Sequence, residues 1–223
     1  MKNKAKTIMI TDQNGNQQTY VKYKDYKKLL KLYNKLIERY SMSEALKSLA
    51  NAVINSNDKL KKYDELTIAS NTYFVLNVDE EKREITYCMK NVLPREEMLK
   101  YFTDEWYQDS TDYGVRFNSD VKNNKFEESY IYKILNSTFR EDKLKGLNIV
   151  GDVRLLTKYE VEELDEEHKN INKWYWAMTP YNNMTGLVYG NYACVFAVDS
   201  NGYLGTWSAI STIGVRPVFT IRY

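Results

Sequence analysis

The chain has 223 residues, of which 43% are hydrophobic and 14% aromatic, so a sizeable core can form and wholesale disorder is excluded. The formal net charge of +2 conceals an uneven distribution. Residues 1–65 carry 14 lysines and arginines against 7 acidic residues, and the remainder carries 18 against 23. We interpret the two parts as differently charged solvated surfaces, with a nucleic-acid or acidic-partner site on the basic part as the alternative.

The amino-terminal segment is predicted to form a β-hairpin. Two runs of β-forming residues, Thr7–Thr11 and Gln17–Val21, flank Asn14-Gly15, a pair that tolerates the positive φ angles of a type I′ turn. The apolar run Ile8-Met9-Ile10 is far too short for the core of a secretion signal. No window is long enough for a membrane span, so we expect a soluble protein without a secretion signal.

Residues 25–65 are predicted to form a helical hairpin. Apolar residues recur at helical spacing between Asp25 and Tyr40, and Ser41 with Glu44 gives the capping-box signature of a second helix. We expect the apolar stripe to pack against the rest of the chain, with a homo-oligomer contact to another copy as the alternative. A helix-turn-helix DNA reader is a less favoured alternative for this lysine-rich segment.

A second domain is predicted over residues 67–223, after a first domain of residues 1–66, because the charge balance and the apolar period both change there. Hairpins of β-forming residues occur beside separate helical segments, and we expect an α+β domain. The predicted elements are the strands Thr72–Val78 and Arg83–Met89, the helix Glu127–Phe139, the strand Val153–Leu156, a short helix capped by Thr157 with Glu160, and the strands Ala193–Val198, Tyr203–Ser208 and Val215–Arg222, with Asn201-Gly202 as a second type I′ turn.

Few residues suit catalysis or metal binding. Cys88 and Cys194, the two cysteines, lie in apolar runs and are predicted to be reduced and buried, although a bridge between them is an open alternative. His168, the one histidine, follows an acidic run and is predicted to be a solvated surface group, which leaves no support for a Ser-His-Asp arrangement. The acidic residues from Glu160 to Glu167 lack EF-hand spacing and are predicted to form a solvated helix face. We expect no metal, no cofactor and no enzymatic activity.

Five segments of the second domain carry a resemblance through their order along the chain. They are Tyr73–Asp79, Ser129 with Leu135–Phe139, Asp152–Val161, Trp174–Pro180 and Gly214–Pro217. Together they resemble DUF6273, a bacterial and phage family of domains of unknown function, over about residues 70–223. The chain departs from that family at Trp176-Ala177-Met178, where the family usually has Leu-Arg-Ser.

The resemblance implies a C-type-lectin-like fold, which also occurs in formylglycine-generating enzymes and in phage receptor-binding variable proteins. In that fold the closing strand is expected to lie beside Tyr73–Val78, and Arg216 to tie it to a buried carboxylate or carbonyl. The calcium-binding triplets of many C-type lectins are absent from this sequence. Cys88 and Cys194 look like core positions rather than the cysteine pair of formylglycine-generating enzymes. The family also implies a phage or mobile-element origin and a location in the host bacterial cytoplasm or in a virion.

Tyrosine, tryptophan and asparagine cluster between Trp174 and Trp207. Such a composition is typical of binding surfaces, because aromatic rings give contact area at low entropic cost and asparagine adds adaptable hydrogen bonds. Trp174 and Trp176 share one face of an extended segment and are predicted to be core residues. The predicted partner-binding residues are Tyr181, Asn182, Asn183, Tyr189, Asn191, Tyr192, Tyr203 and Trp207.

These observations predict a non-catalytic protein that recognises a protein or surface-glycan partner through the loops of residues 178–208. Two alternatives are open. One is an intracellular phage effector that binds and inhibits a host defence protein, as anti-CRISPR proteins do. The other is a nucleic-acid-binding protein that uses the basic amino-terminal segment, and its affinity would fall steeply with salt.

Overall fold

A computed structural model describes residues 60–102, 114–118, 122–181 and 193–223 in full, and the backbone of residues 7–11, 17–21 and 107–108. The helices predicted between Asp25 and Val53 and the turn at Asn14-Gly15 lie outside the described residues. The chain divides into two compact units, Met1–Asn51 and Ala52–Tyr223. This division falls earlier in the chain than the boundary expected near residue 66.

The first unit contains a β-hairpin. Strand β1, Thr7–Thr11, pairs antiparallel with strand β2, Gln17–Val21. The register runs from Thr7 opposite Val21 to Thr11 opposite Gln17. Both strands predicted from the sequence are therefore confirmed.

The largest sheet of the second unit is antiparallel and has five strands in the order β3-β4-β5-β13-β8. Tyrosine, phenylalanine and β-branched residues dominate its strands, as their fit to a pleated surface favours. The strands are β3 (Glu65–Ile68), β4 (Asn71–Asp79), β5 (Glu84–Met89), β8 (Ile149–Arg154) and β13 (Val218–Arg222). The predicted hairpin of β4 and β5 is confirmed, whereas β8 begins and ends earlier than the predicted strand.

The expectation that the closing strand lies beside Tyr73–Val78 is wrong. β13 pairs with β5 on one side and with β8 on the other. The two edges of β4 are already occupied by β5 and by β3, a strand of four residues whose pattern is too short to recognise in the sequence. The closing strand still reaches the same core, because the Phe219 ring meets the Tyr73 ring edge-on with the centroids 5.2 Å apart.

Helix α1, Arg95–Tyr101, follows β5. The helix predicted over Glu127–Phe139 is instead divided into a 3-10 turn at Phe126–Glu128, α2 (Tyr130–Ile134), a π-helical turn at Leu135–Phe139, and α3 (Arg140–Lys143). Ser129 begins α2, because its Oγ accepts a hydrogen bond from the Tyr132 N–H at 3.0 Å. The amide of Asn136 exchanges two hydrogen bonds of 2.8 Å with the backbone of Val153, which holds the π-helical turn along β8.

Two short helices follow β8. Helix α4, Lys158–Glu162, begins at Thr157, and the predicted capping box between Thr157 and Glu160 is confirmed. Helix α5, Glu166–Lys169, begins at Asp165, whose side chain accepts from the backbone N–H of His168.

Two three-stranded sheets complete the second unit. One has the order β11-β10-β9, and the other has the order β12-β7-β6. Their strands are β6 (Tyr107–Gln108), β7 (Gly114–Arg116), β9 (Tyr175–Tyr181), β10 (Cys194–Val198), β11 (Leu204–Ser208) and β12 (Thr212–Ile213).

The turn between β10 and β11 is not the predicted type I′ turn. Gly202 has a φ of +82°, but Asn201 is not in the positive-φ region that a type I′ turn requires at both central residues. The Gly202 N–H donates to the Asp199 carbonyl at 3.1 Å, so a type I turn precedes a left-handed glycine. The strand β11 therefore begins at Leu204 rather than at the predicted Tyr203.

Side chains from the five-stranded sheet, the β9–β11 sheet and α4 share one core. Its buried members are Phe74, Leu76, Cys88, Val92, Leu156, Val161, Leu164, Tyr175, Ala177, Val198 and Val218. Mixed helices and antiparallel sheets make this an α+β protein, as the sequence predicts.

Candidate functional site

The β9–β11 sheet carries the described members of the predicted partner-binding set. Directly opposite residues of neighbouring antiparallel strands point to the same face, and consecutive residues point to opposite faces. Tyr181 lies opposite Cys194, and Trp207 lies opposite Val195. Because Cys194 and Val195 are consecutive, Tyr181 and Trp207 lie on opposite faces of the sheet. The structure therefore does not bring these two predicted residues together.

Trp174, Tyr203 and Trp207 form a group of rings that we call the aromatic surface. The two tryptophan rings meet edge to face, with centroids 4.8 Å apart and an interplanar angle of 89°. Tyr203 is 69% exposed, and both tryptophans are partly exposed. A Cβ at Gly205 would lie 2.6 Å from the Trp207 ring and 3.2 Å from the Tyr203 ring. The missing side chain at Gly205 thus lets both rings cover the strand.

The turn before β11 holds Tyr203 in position. Asp199 Oδ1 accepts hydrogen bonds from the N–H of Asn201 at 2.8 Å and of Tyr203 at 2.9 Å. The Tyr203 carbonyl accepts from the Asp199 N–H at 3.0 Å. Asparagine and aspartate side chains commonly fix turns in this way. The exposed ring of Tyr203 is therefore carried on a constrained backbone.

The opposite face of the sheet carries Tyr181 and Phe196. Their rings meet edge-on with centroids 5.6 Å apart, and the Lys158 Nζ lies 5.2 Å from the Phe196 centroid. The Asn124 side-chain amide donates to the carbonyls of Tyr181 at 3.4 Å and Cys194 at 2.9 Å. Asn124 thus joins the end of β9 to the start of β10. No sequence pattern singles out Asn124, because its role depends on two carbonyls that are distant along the chain.

The other predicted partner-binding residues are Asn182, Asn183, Tyr189, Asn191 and Tyr192, and they lie outside the described residues. Of the predicted core tryptophans, Trp176 is fully buried and its Nε1–H donates to the Val115 carbonyl at 2.9 Å. Trp174 keeps part of its ring at the surface, which places it in the aromatic surface instead.

Arg216 is fully buried, and its predicted structural role is confirmed. Its guanidinium donates to the carbonyls of Met89, His168 and Lys90 at 2.8, 2.8 and 2.9 Å. The Phe74 and Tyr175 rings lie 5.4 and 4.9 Å from the guanidinium carbon. Burial raises the pKa of Tyr175 to about 12, although the Arg216 charge opposes the shift.

Gly214 brings the segment before Arg216 against the start of β9. The Gly214 N–H donates to the Trp174 carbonyl at 3.1 Å, and the Gly214 carbonyl accepts from the Trp176 N–H at 3.0 Å. A Cβ at Gly214 would lie 2.5 Å from the Trp174 carbonyl oxygen. A glycine is therefore required for this close approach, which sets the position of Trp174.

The prediction that His168 is a solvated surface group is wrong. The side chain is 8% exposed and stacks on the Tyr63 ring, with centroids 4.1 Å apart and an interplanar angle of 14°. Its Nδ1 lies 2.7 Å from Asp165 Oδ1, and the Phe74 ring packs against its other side at 4.6 Å. The neighbouring acidic residues are solvated, but the short helix α5 turns His168 inward.

Tyr63 forms the outer side of this stack and was missed by the sequence analysis. Its hydroxyl accepts from the Asp165 N–H at 2.9 Å and donates to the Glu163 carbonyl at 3.3 Å. Tyr63 has a φ of +77°, which gives no recognisable signal in a single sequence.

Cys88 and Cys194 are both buried, so the predicted core positions are confirmed. Burial raises the pKa of the Cys88 thiol to about 11 and also raises the pKa of Cys194. Both groups are therefore protonated near neutral pH, a state that suppresses thiol nucleophilicity.

The acidic residues from Glu162 to Glu167 are exposed, as predicted. Glu160 is partly buried, so the prediction of a solvated residue is wrong at this position. Arg154 donates to both carboxylate oxygens of Glu160, at 2.7 and 2.6 Å. Burial alone would raise the pKa of Glu160, but the hydrogen bonds and charge of Arg154 lower it. Glu160 is thus a structural link between β8 and α4.

Among the described residues, no group of three or more histidine, cysteine, aspartate or glutamate side chains is arranged to hold a metal ion. In the same part of the chain, no helix is both long and apolar enough to cross a membrane. In comparisons with known proteins, no family model, no curated protein and no solved structure matches this chain.

Proposed function

We propose that this chain is a non-catalytic binding protein of phage or mobile-element origin that recognises a macromolecular partner through residues 178–208. The observation that carries the proposal is the aromatic surface, in which an exposed tyrosine lies beside two partly exposed tryptophans. Rings that are held in place lose little conformational entropy on binding, so they provide contact area efficiently. Five further predicted contact residues follow Tyr181 within the same segment.

We infer a C-type-lectin-like fold for residues 67–223. The closing strand β13 and the hairpin of β4 and β5 share one sheet, which supports this inference. Two segments that carry the DUF6273 resemblance also meet, because Gly214 bonds to the backbone of Trp174 and Trp176. The same resemblance supports the phage or mobile-element origin.

The environments of the reactive side chains favour binding over catalysis. His168 stacks between Tyr63 and Phe74, and both thiols are buried with raised pKa values. Nucleophilic catalysis by cysteine depends on a lowered pKa and an accessible sulfur. These residues are therefore better suited to the core than to a reaction.

The proposal is tested by partner capture from lysates of candidate bacterial hosts, with the full chain immobilised. Tyr203→Ala is expected to weaken capture at least about tenfold. Truncation of an aromatic hot-spot residue typically costs about 2 kcal/mol of binding free energy or more. The melting temperature should change by less than about 2 °C, because the ring is already exposed.

Tyr159→Ala is the matched control, since Tyr159 is 74% exposed and lies on α4 rather than in the aromatic surface. This variant should capture the partner as the parent does. Equal capture by the Tyr203→Ala and Tyr159→Ala variants would exclude the aromatic surface as the contact.

A further inference from the structure

The register of β11 with β10 determines which backbone groups of β11 point away from β10. The Ala209 N–H donates to the Ala193 carbonyl at 2.9 Å, and the Asp199 N–H donates to the Tyr203 carbonyl at 3.0 Å. Both pairs continue the β10–β11 register. Hydrogen-bonded and non-hydrogen-bonded pairs alternate in an antiparallel ladder, so Gly205 and Trp207 bond to β10. The residues whose N–H and C=O groups point to the outer edge are Leu204, Thr206 and Ser208.

Within the described part of the chain, this outer edge retains a row of backbone groups that no other segment pairs with. The Ser208 carbonyl accepts from the Ser211 N–H at 2.9 Å, which leaves five outward groups: both groups of Leu204, both groups of Thr206 and the Ser208 N–H. Across the described stretches of the chain, no other backbone segment pairs with those of Leu204 and Thr206. All residues of β11 are partly exposed, as access of a second chain to this edge requires.

Backbone groups on the outer edges of β9 and β8 are covered, in contrast to those of β11. On the outer edge of β9, the N–H groups of Trp176 and Met178 donate to Gly214 and Leu156 at 3.0 and 2.8 Å, and Pro180 has no N–H. On β8, the Asn136 amide occupies both backbone groups of Val153. Edge strands in proteins are normally protected in such ways, because an open edge recruits another strand.

We propose that the outer edge of β11 is a docking site for an extended peptide segment of a partner protein, which adds to the sheet as a further strand. This proposal rests on the proposed function and specifies the form in which the partner is recognised. Alternating N–H and C=O groups along an edge are matched by another extended backbone and by neither a glycan nor a helix. The Tyr203 and Trp207 rings lie beside the edge and contact alternate side chains of the added strand.

A second copy of this chain matches the edge less well than a separate peptide does. Antiparallel pairing of β11 with itself about Thr206 would place Ser208 opposite Leu204 of the other copy. The Ser208 carbonyl already accepts from Ser211, so the outer bonds of such a pair would be weakened. A peptide is free to choose its register, and it needs only the five groups described above.

The first test uses amide hydrogen exchange of the full chain, measured by NMR. The probe is the tightest-binding linear peptide recovered from a random display library panned against this chain. In the free chain, the amides of Leu204 and Thr206 should exchange faster than those of Gly205 and Trp207. With peptide bound, the Leu204 and Thr206 amides should slow at least about tenfold. Failure to recover a binding peptide, or exchange at these amides that the peptide leaves unchanged, overturns the proposal.

The second test is Thr206→Pro, with Thr206→Ala as its control. Proline removes the outward N–H but no bond to β10, so the variant should fold, as edge positions with a solvent-facing N–H tolerate proline. Peptide affinity should fall at least about tenfold in Thr206→Pro, with less than about a threefold change in Thr206→Ala. Equal affinity of the two folded variants overturns the proposal. Slow Leu204 and Thr206 exchange that depends on protein concentration without peptide also overturns it, in favour of self-pairing.

Capture from host lysate separates this proposal from the proposed function. If the folded Thr206→Pro variant captures the lysate partner as well as Thr206→Ala does, strand addition is excluded and the aromatic surface still stands as the contact. If the parent chain captures nothing while the display-derived peptide pairs with β11, the docking edge is supported and the proposed function fails.

Discussion

Arg216 is a fully buried charge whose three described hydrogen bonds go to backbone carbonyls. The planar guanidinium reaches Met89, Lys90 and His168 at once, and two ring faces lie within 5.4 Å of its central carbon. A lysine ammonium is compact and cannot span the same carbonyls. The side chain therefore joins the segment before β13 to the end of β5 and to α5.

Arg216→Lys is expected to lower the free energy of unfolding by about 2–4 kcal/mol, because buried carbonyls lose their donors. Urea denaturation of the full chain measures the change. Arg222→Lys is the control, since Arg222 is exposed and its pairing with Glu84 should contribute about 1 kcal/mol or less. Similar losses in the two variants would contradict the role assigned to Arg216.

Single residues differ in how far the sequence predicts their roles. The capping box of Thr157 with Glu160 and the structural role of Arg216 were predictable, since each follows from a local pattern or from the resemblance. His168 was not, because its burial depends on Tyr63, which lies more than 100 residues earlier in the chain. A charged neighbourhood predicts a solvated face, but a helix as short as α5 has too few residues for its inward side to appear as a period.

At the scale of elements, two glycines differ in what surrounds them. A Cβ at Gly114 would lie 2.5 Å from the backbone N and carbonyl C of Ile213, where β7 pairs with β12. A Cβ at Gly205 would instead meet the far end of the Trp207 ring. Backbone cannot move aside cheaply, whereas a partly exposed ring can.

Gly114→Ala is expected to lower the free energy of unfolding by about 2 kcal/mol or more, and Gly205→Ala by about 1 kcal/mol or less. Gly205→Ala should nevertheless change the near-ultraviolet circular dichroism, because the Trp207 ring must leave its contact with Trp174. Thermal unfolding and circular dichroism of both variants check this. A Gly205→Ala variant with the larger stability loss would contradict the described packing.

Most strands were predictable from the alternation of apolar residues, but their partners were not. The residues of β13 clearly predict a strand. Its position beside β5 depends on β3, whose four residues are too few for a strand to be recognised in the sequence. The long helix was predicted as one piece because its apolar spacing is continuous. The bonds between Asn136 and Val153 accompany a π-helical turn there, and spacing alone cannot reveal such a tertiary contact.

At the scale of the whole molecule, burial of ionisable groups predicts sensitivity to alkali. Burial raises the pKa of Cys88 to about 11, and those of Tyr87 and Tyr175 to about 12. The unfolded chain releases these protons first, near pH 9 for cysteine and near pH 10 for tyrosine. Stability is therefore intact below pH 9 and is lost as the pH rises through 11 and 12.

Urea denaturation between pH 8 and pH 11 should show a progressive loss, with about 2–3 kcal/mol attributable to Cys88 once its full shift is traversed. Cys88→Val keeps an apolar side chain of similar size and should flatten the part of the loss between pH 9 and pH 11. A parent chain of constant stability up to pH 11 would contradict the buried environment of these groups.

Site-specific photocrosslinking can show whether the aromatic surface contacts a macromolecular partner. Benzoylphenylalanine is placed at Tyr203 in one full-length chain and at Tyr159 in another, and both are irradiated in host lysate. Crosslinking of one defined partner to the chain modified at Tyr203, with none to the chain modified at Tyr159, is the predicted result. Capture of a partner that crosslinks equally at both positions, or at Tyr159 alone, would contradict the claim.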